Sequence, residues 1–169
     1  MKNYVANLDK QLNLLESSVL LKQPAKRVNI VRLKMVKESS LLYKERRIKS
    51  PKDASLLFKQ FLDGVDREDF IVLCLDIKNQ PTAINVCHIG SLNSSIVHPR
   101  EVLKPAIISN AASIIVAHNH SSNDPTPSRE DIEVTKRLAE SGKIIGVELL
   151  DHVIVCSDSL VSLKEKGYI

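Results

Sequence analysis

Aromatic side chains are scarce in this chain: three Phe, three Tyr and no Trp among 169 residues. Aromatics bring large buried areas to a core, so the core here must be chiefly aliphatic. The same scarcity leaves no interleaved aromatics on which nucleic-acid bases would stack. The three cysteines, Cys74, Cys87 and Cys156, are odd in number, far apart and never in a Cys-x-x-Cys pair. That spacing argues against a disulfide framework or a thiolate zinc site, and reduced thiols are expected. No apolar run is long enough to cross a membrane. Asp9, Lys10, Gln11 and Asn13 interrupt the segment where a secretory signal needs its apolar core. The expected location is the cytoplasm, without membrane association. Internal repeats and low-complexity segments are also missing.

Charge is present but unevenly spread. Residues 1–50 hold 12 Lys and Arg against 4 Asp and Glu, while residues 51–169 hold 12 against 16. The densest run is KERRIKSPK at 44–52. A length of 169 residues fits one domain with an extension. The chain divides into a basic N-terminal extension at 1–49, helix plus strand, and a mildly acidic domain at 50–169. A basic arm of this kind suits weak contact with nucleic acid; a solvated charged face explains the same residues.

Periodicity assigns the elements. Val5, Leu8, Leu12, Leu15 and Val19 predict a helix over residues 3–23, and Val28 to Met35 predict a strand over 27–36. Ser50 and Pro51 open a second helix, closed by Gly64. Phe70–Asp76 and Thr82–Ile89 are strands joined by the turn IKNQP. A helix follows from Pro99 to Ser109, with Lys104-Pro105 placed to bend or end it. Ser113–Ala117 is a buried strand, Ser128–Ser141 a helix closed by Gly142, and Ile144–Cys156 and Leu160–Leu163 late strands. Mixed helices and strands give an α/β (α+β) class, with a central mixed sheet flanked by helices.

The chemistry concentrates in HNHSSNDPTPSRED, residues 118–131. Residues two apart on a strand share a face, so His118 and His120 can address one metal while Asn119 points away. Asp131 lies in the first turn of the following helix. Two imidazoles, a carboxylate and one open position suit a catalytic zinc. Each part has a plainer explanation. Ser128-x-x-Asp131 is also a capping box, and a His-x-His pair arises at strand ends by chance. The combination of apolar strand, paired histidines, tight loop and acidic helix start is what points to a metal. His98 precedes Pro99 as a helix-start residue, Asp124 reads as a turn residue, and Asp151 and His152 read as a hydrogen-bonded pair supporting a late strand.

The spacing His-x-His, seven residues, Ser, two residues, Asp resembles the JAMM motif of MPN/JAB-domain metallopeptidases. SLNSSIVHPREV at 91–102, NAASIIVAHNH at 110–120, DPTPSREDI at 124–132 and LLDHVIV at 149–155 resemble the RadC branch. The likeness covers roughly residues 50–169. It implies an MPN fold and zinc held by His118, His120 and Asp131. It also implies an upstream catalytic glutamate, which falls on Glu68 in DREDFIVLCLD. Ser128 then donates to the oxyanion. The implied reaction is hydrolysis of a peptide or isopeptide bond in a protein or peptide substrate. Ser121 and Asn123 stand where the family loop HNHPSGD carries proline and glycine; Asn tolerates the left-handed backbone a glycine occupies. The family's helix-hairpin-helix region has no counterpart in residues 1–49. The alternative is a non-catalytic or DNA-associated RadC-like accessory protein of a phage or mobile element. A two-metal nuclease would need more converging carboxylates than this motif supplies.

Overall fold

The computed structural model describes residues 26–44, 46–62, 65–90, 97–157 and 159–169. Its two compact units are Met1–Leu33 and Lys34–Ile169. The helix expected over 3–23 lies outside the described residues, as does Gly64. The strand expected over 27–36 does not form: residues 26–43 carry no helix or strand. Val28, Ile30, Val31, Leu33 and Val36 are all exposed. Alternation alone does not hold a strand whose backbone has no ladder to join.

The second unit contains α1 (Pro51–Leu62), β1 (Asp69–Leu75), β2 (Pro81–Ile89), α2 (Pro99–Ile108), β3 (Ser113–Asn119), α3 (Arg129–Ile145), β4 (Glu148–Val155) and β5 (Leu160–Ser162). The sheet order is β2-β1-β3-β4-β5. Only β3 and β4 run parallel; the other neighbours are antiparallel. A parallel pair needs a crossover connection, and α3 supplies it. The mixed sheet follows from that one crossover.

Burial explains the pairing. β1 is buried at every position and sits between β2 and β3. β2 lies at the edge, and its residues are partly or fully exposed. On one face α1 packs Ala54, Leu57, Phe58 and Leu62 against Ile71, Leu73, Ile115, Ala117 and Val153. On the other, Val102, Leu103 and Ala106 of α2 and Val134 and Leu138 of α3 cover Phe70, Val72, Ile114 and Val116. Each face is aliphatic around one fully buried phenylalanine, Phe58 or Phe70.

The helix expected from Pro99 to Ser109 forms with that extent and is not ended at Lys104-Pro105, whereas the expected closure at Gly142 is not where the next helix stops. α2 runs through Pro105 to Ile108, because Val102, Leu103 and Ala106 anchor both sides of the proline in the core. α3 passes Gly142 and ends at Ile145, with Gly146 as the left-handed cap at φ 82°. Gly142 permits close approach instead: a Cβ there would collide with the Val147 carbonyl oxygen. Ile144 and Ile145 therefore belong to the helix, and β4 starts at Glu148.

Candidate metal centre

His118 occupies the far end of β3, where the strand leaves the core, and its ring is fully buried. His120 follows just beyond the strand and is half-buried. The loop turns back through Asn123, at φ 58°, whose Oδ1 accepts from Ser157 N at 2.8 Å. The left-handed backbone expected of this asparagine is present. The loop delivers Ser128 as the N-cap of α3 and Asp131 as its third residue.

The expected ligands meet. His118 Nε2 lies 2.9 Å from His120 Nε2 and 3.2 Å from Asp131 Oδ1. His120 Nε2 lies 3.4 Å from Asp131 Oδ2. Tetrahedral zinc with bonds of about 2.0–2.1 Å spaces its ligand atoms by about 3.3 Å. The separations lie near that value, with Oδ1 of Asp131 facing His118 and Oδ2 facing His120. The donor set also fits a cation. His120 Nδ1 lies 2.6 Å from the Asp124 carbonyl oxygen, which can only accept. The Nδ1 proton is therefore committed there, and a neutral His120 turns a bare Nε2 toward a carboxylate and a second imidazole. Such a gathering of acceptors is held together by a proton or a metal. His118, His120 and Asp131 thus form a buried group able to bind a metal ion.

Electrostatics agree. The hydrogen bond to Asp131 raises the His120 pKa above its ordinary value, against the effect of burial. Burial lowers that of His118, with Asp131 opposing. Burial also opposes ionisation of Asp131. The contacts with His118 and His120 outweigh it and hold the carboxyl well below the usual range.

Ser128 and Asp131 form the full capping box. Ser128 N and Oγ donate to Asp131 Oδ2 at 2.8 and 2.6 Å, and Asp131 N donates to Ser128 Oγ at 3.1 Å. The capping and ligand readings of Asp131 are compatible, since Oδ1 remains turned to His118. The Ser128 hydroxyl proton is committed to Asp131 in this arrangement.

Glu68 immediately precedes β1, beside the end of β3. Its Oε1 accepts from Ser121 N at 3.1 Å and Ser121 Oγ at 3.0 Å. Its charge is felt by both His118 and His120. Asn119, between the histidines, does not simply point away. Its Oδ1 accepts from Asp69 N at 2.8 Å and its Nδ2 donates to Arg67 O at 2.9 Å. That clasp fixes the backbone on both sides of Glu68. Neither the Ser121 contact with Glu68 nor the Asn119 clasp on its two neighbours was expected; both join residues about fifty positions apart in sequence. An open groove of about 790 Å³ reaches His120, Asn119 and Ser121, with Lys59, Val65 and Arg67 along it.

The remaining candidates fall outside the ligand group. His98 caps α2, its Nδ1 accepting from Arg100 N. Asp124 is a turn residue whose Oδ1 accepts from Thr126 N. Asp151 accepts from the His152 backbone N–H, not from its ring. The His152 ring points to the opposite face, where it touches His118. All three cysteines are free, with Cys74 and Cys156 buried.

Comparison with known proteins places these features. The family described as the RadC-like JAB domain matches residues 48–168, and the chain belongs to it. A UPF0758 protein of Geobacillus sp. strain WCH70 is 57% identical over 122 residues, 72% of this chain and 54% of that protein. A UPF0758 protein of Caldanaerobacter subterraneus is 54% identical over 121 residues, 72% of this chain and 52% of its own length. One from Methanosarcina barkeri is 50% identical over 125 residues, 74% and 55% of the two chains. The chain spans about half the length of these curated relatives. The five-stranded mixed sheet with helices on both faces is a JAB/MPN-like domain. Among the described residues, no helix is long and apolar enough to cross a membrane.

Proposed function

We propose that the chain is a zinc-dependent peptidase or isopeptidase of the JAMM type. The observation that carries this reading is the convergence of His118, His120 and Asp131 beside Glu68, with His120 also bordering an open groove. Those three residues would hold the zinc. When bound, zinc polarises a carbonyl and lowers the pKa of water to about 7. Glu68 takes a proton from the attacking water and returns it to the leaving amine. Asn119 and Ser121 keep its carboxylate beside the histidines. Ser128 turns its hydroxyl from Asp131 to donate to the oxyanion of the tetrahedral intermediate. The groove holds an extended segment of a protein or peptide substrate, and the free cysteines suit the reducing cytoplasm.

Residues 26–49 favour a second role for the extension alone. Lys26, Arg27, Arg32, Lys34 and Lys37 are exposed, without a helix or strand to organise them. Such an arm suits weak, salt-sensitive contact with nucleic-acid phosphates.

Elemental analysis of protein purified without added metal should find one zinc per chain. On a substrate found by screening peptide and isopeptide libraries, Glu68→Gln should keep the metal and lose about 10²–10⁴-fold in rate. Zinc retained in full by a His118→Ala, His120→Ala double variant would defeat the metal assignment. Wild-type turnover by Glu68→Gln would defeat the base.

A further inference from the structure

Behind His118 lies a second buried imidazole that the proposed chemistry does not use. His118 Nδ1 is 2.8 Å from His152 Nε2, and His152 Nδ1 is 2.6 Å from Thr135 Oγ1. Thr135 Oγ1 is in turn 2.6 Å from the backbone carbonyl oxygen of Asp131. His118, His152 and Thr135 are completely buried and Asp131 nearly so. The chain therefore runs from one metal-ligand candidate, through β4 and α3, to the backbone of another.

Its direction can be worked out from valence alone. A carbonyl oxygen has no proton, so Thr135 must donate its single hydroxyl hydrogen to Asp131 O. Thr135 Oγ1 is left as an acceptor and takes the proton on His152 Nδ1. A neutral imidazole carries one ring proton, so with Nδ1 donating to Thr135 the Nε2 of this fully buried ring is bare. That lone pair accepts the Nδ1 proton of His118. His118 is left with an unprotonated Nε2, the atom 2.9 Å from His120 Nε2 and 3.2 Å from Asp131 Oδ1. The opposite direction would leave Asp131 O without the hydroxyl proton. It would also aim an N–H at the point where the three ligand atoms converge.

We propose that Thr135 and His152 are positioning residues that lock His118 in the tautomer presenting its Nε2 lone pair to a bound metal. The proposal deepens the metal reading and rests on it. Outer partners of ligating histidines fix both tautomer and ring orientation. Here the partner is an imidazole whose own tautomer is set by a threonine one helical turn beyond Asp131. The arrangement ties the state of His118 to the position of α3, the helix that delivers the carboxylate ligand. A displaced α3 would loosen both ligands together.

The test has two arms. In metal-free wild-type protein labelled with ¹⁵N-histidine, long-range nitrogen–proton correlation should show His118 and His152 both as Nδ1–H tautomers. Thr135→Val keeps the shape and removes the hydroxyl. It should weaken zinc binding, read by chelator competition, about 10–100-fold, and allow His152 to populate its other tautomer. Thr135→Ser should restore both readouts to the wild-type level, which a purely structural threonine would not predict. An Nε2–H signature for either ring in the wild type overturns the relay, as does unchanged zinc affinity in folded Thr135→Val. A wild-type chain that binds no divalent metal overturns the metal reading itself. That outcome is distinct from a wrong tautomer with normal metal binding, which overturns the relay alone.

Discussion

The two faces of the sheet share the strands β1, β3 and β4, yet their interiors differ in kind. Toward α1, the packed cluster is hydrocarbon, from Ile48 and Phe58 to Val153 and Val155, and the buried polar groups beside it are Ser55 on the helix and the Asp151–Ser162 pair near the end of the sheet. Toward α2 and α3, an aliphatic cluster of the same sort gives way at one end to His118, His152, Thr135 and Asp131, all buried. Alternation makes this possible. In β3, Ile115 and Ala117 turn to α1, while Ile114, Val116 and His118 turn to α3. A buried polar group is costly unless it is hydrogen-bonded, and on the second face each member of the relay has a partner. One face supplies cohesion and the other holds a polar site inside the shell that cohesion maintains.

The sharpest way to break this contrast is Phe58→Ala. Truncating a fully buried phenylalanine costs about 3–5 kcal/mol, and Phe58 is completely buried. Chemical denaturation should show that loss, while zinc affinity of the folded protein stays at the wild-type value. A parallel fall in affinity would mean that the faces are coupled through the strands, not independent.

Metal addition approaches the same contrast from the other face. Ligand that binds only the folded state stabilises by about 2.7 kcal/mol at one hundred times Kd. Zinc at that saturation should add this increment to the wild type, and the same increment to Phe58→Ala. Distant sites without shared partners add to within about 0.3–0.5 kcal/mol. A larger discrepancy would again join the two faces.

The sequence made one face far more legible than the other. Apolar runs identify β1 and β3 directly, since a strand buried on both sides has no polar positions to confuse its reading. The ligand triad was legible because its spacing spans one strand, one loop and one helix start. His152 was not. It lies 34 positions from His118 and reaches it through the parallel pairing of β3 with β4, which sets Val116 opposite His152. A histidine within the apolar run LLDHVIV was the available signal, since a buried imidazole needs a partner. Asp151 alongside offered a false one, because it bonds the backbone instead. Gly142 misled for another reason. A glycine near a helix end suggests a cap, whereas this one makes room for the Val147 carbonyl four residues before the true cap. The 27–36 segment failed because a strand pattern says nothing about whether a partner edge exists.

The smallest expected effect concerns pH and again separates the faces. The hydrophobic cluster toward α1 contains no thiol, whereas the opposite cluster includes Cys74 and has Cys87 packed against it. Burial pushes the Cys87 thiol from 9.0 up to about 12, and raises that of Cys74. A raised folded value means that the unfolded chain releases its proton first as pH rises. The thiol's contribution is thus fully present below 9.0 and is lost progressively toward about 12. Each such group steepens the decline by at most about 1.4 kcal/mol per pH unit. Cys87, on the edge strand β2, is the one to replace, because serine at a partly exposed position leaves the interior intact. Denaturation of wild type and Cys87→Ser between pH ~8 and ~10.5 should show a shallower alkaline decline in the variant. Equal slopes would mean that the thiol is hydrated along the open edge and titrates as it does in the unfolded chain. The alkaline sensitivity of the site-bearing face would then rest on Cys74, and the contrast between the two interiors on that thiol and the histidine relay.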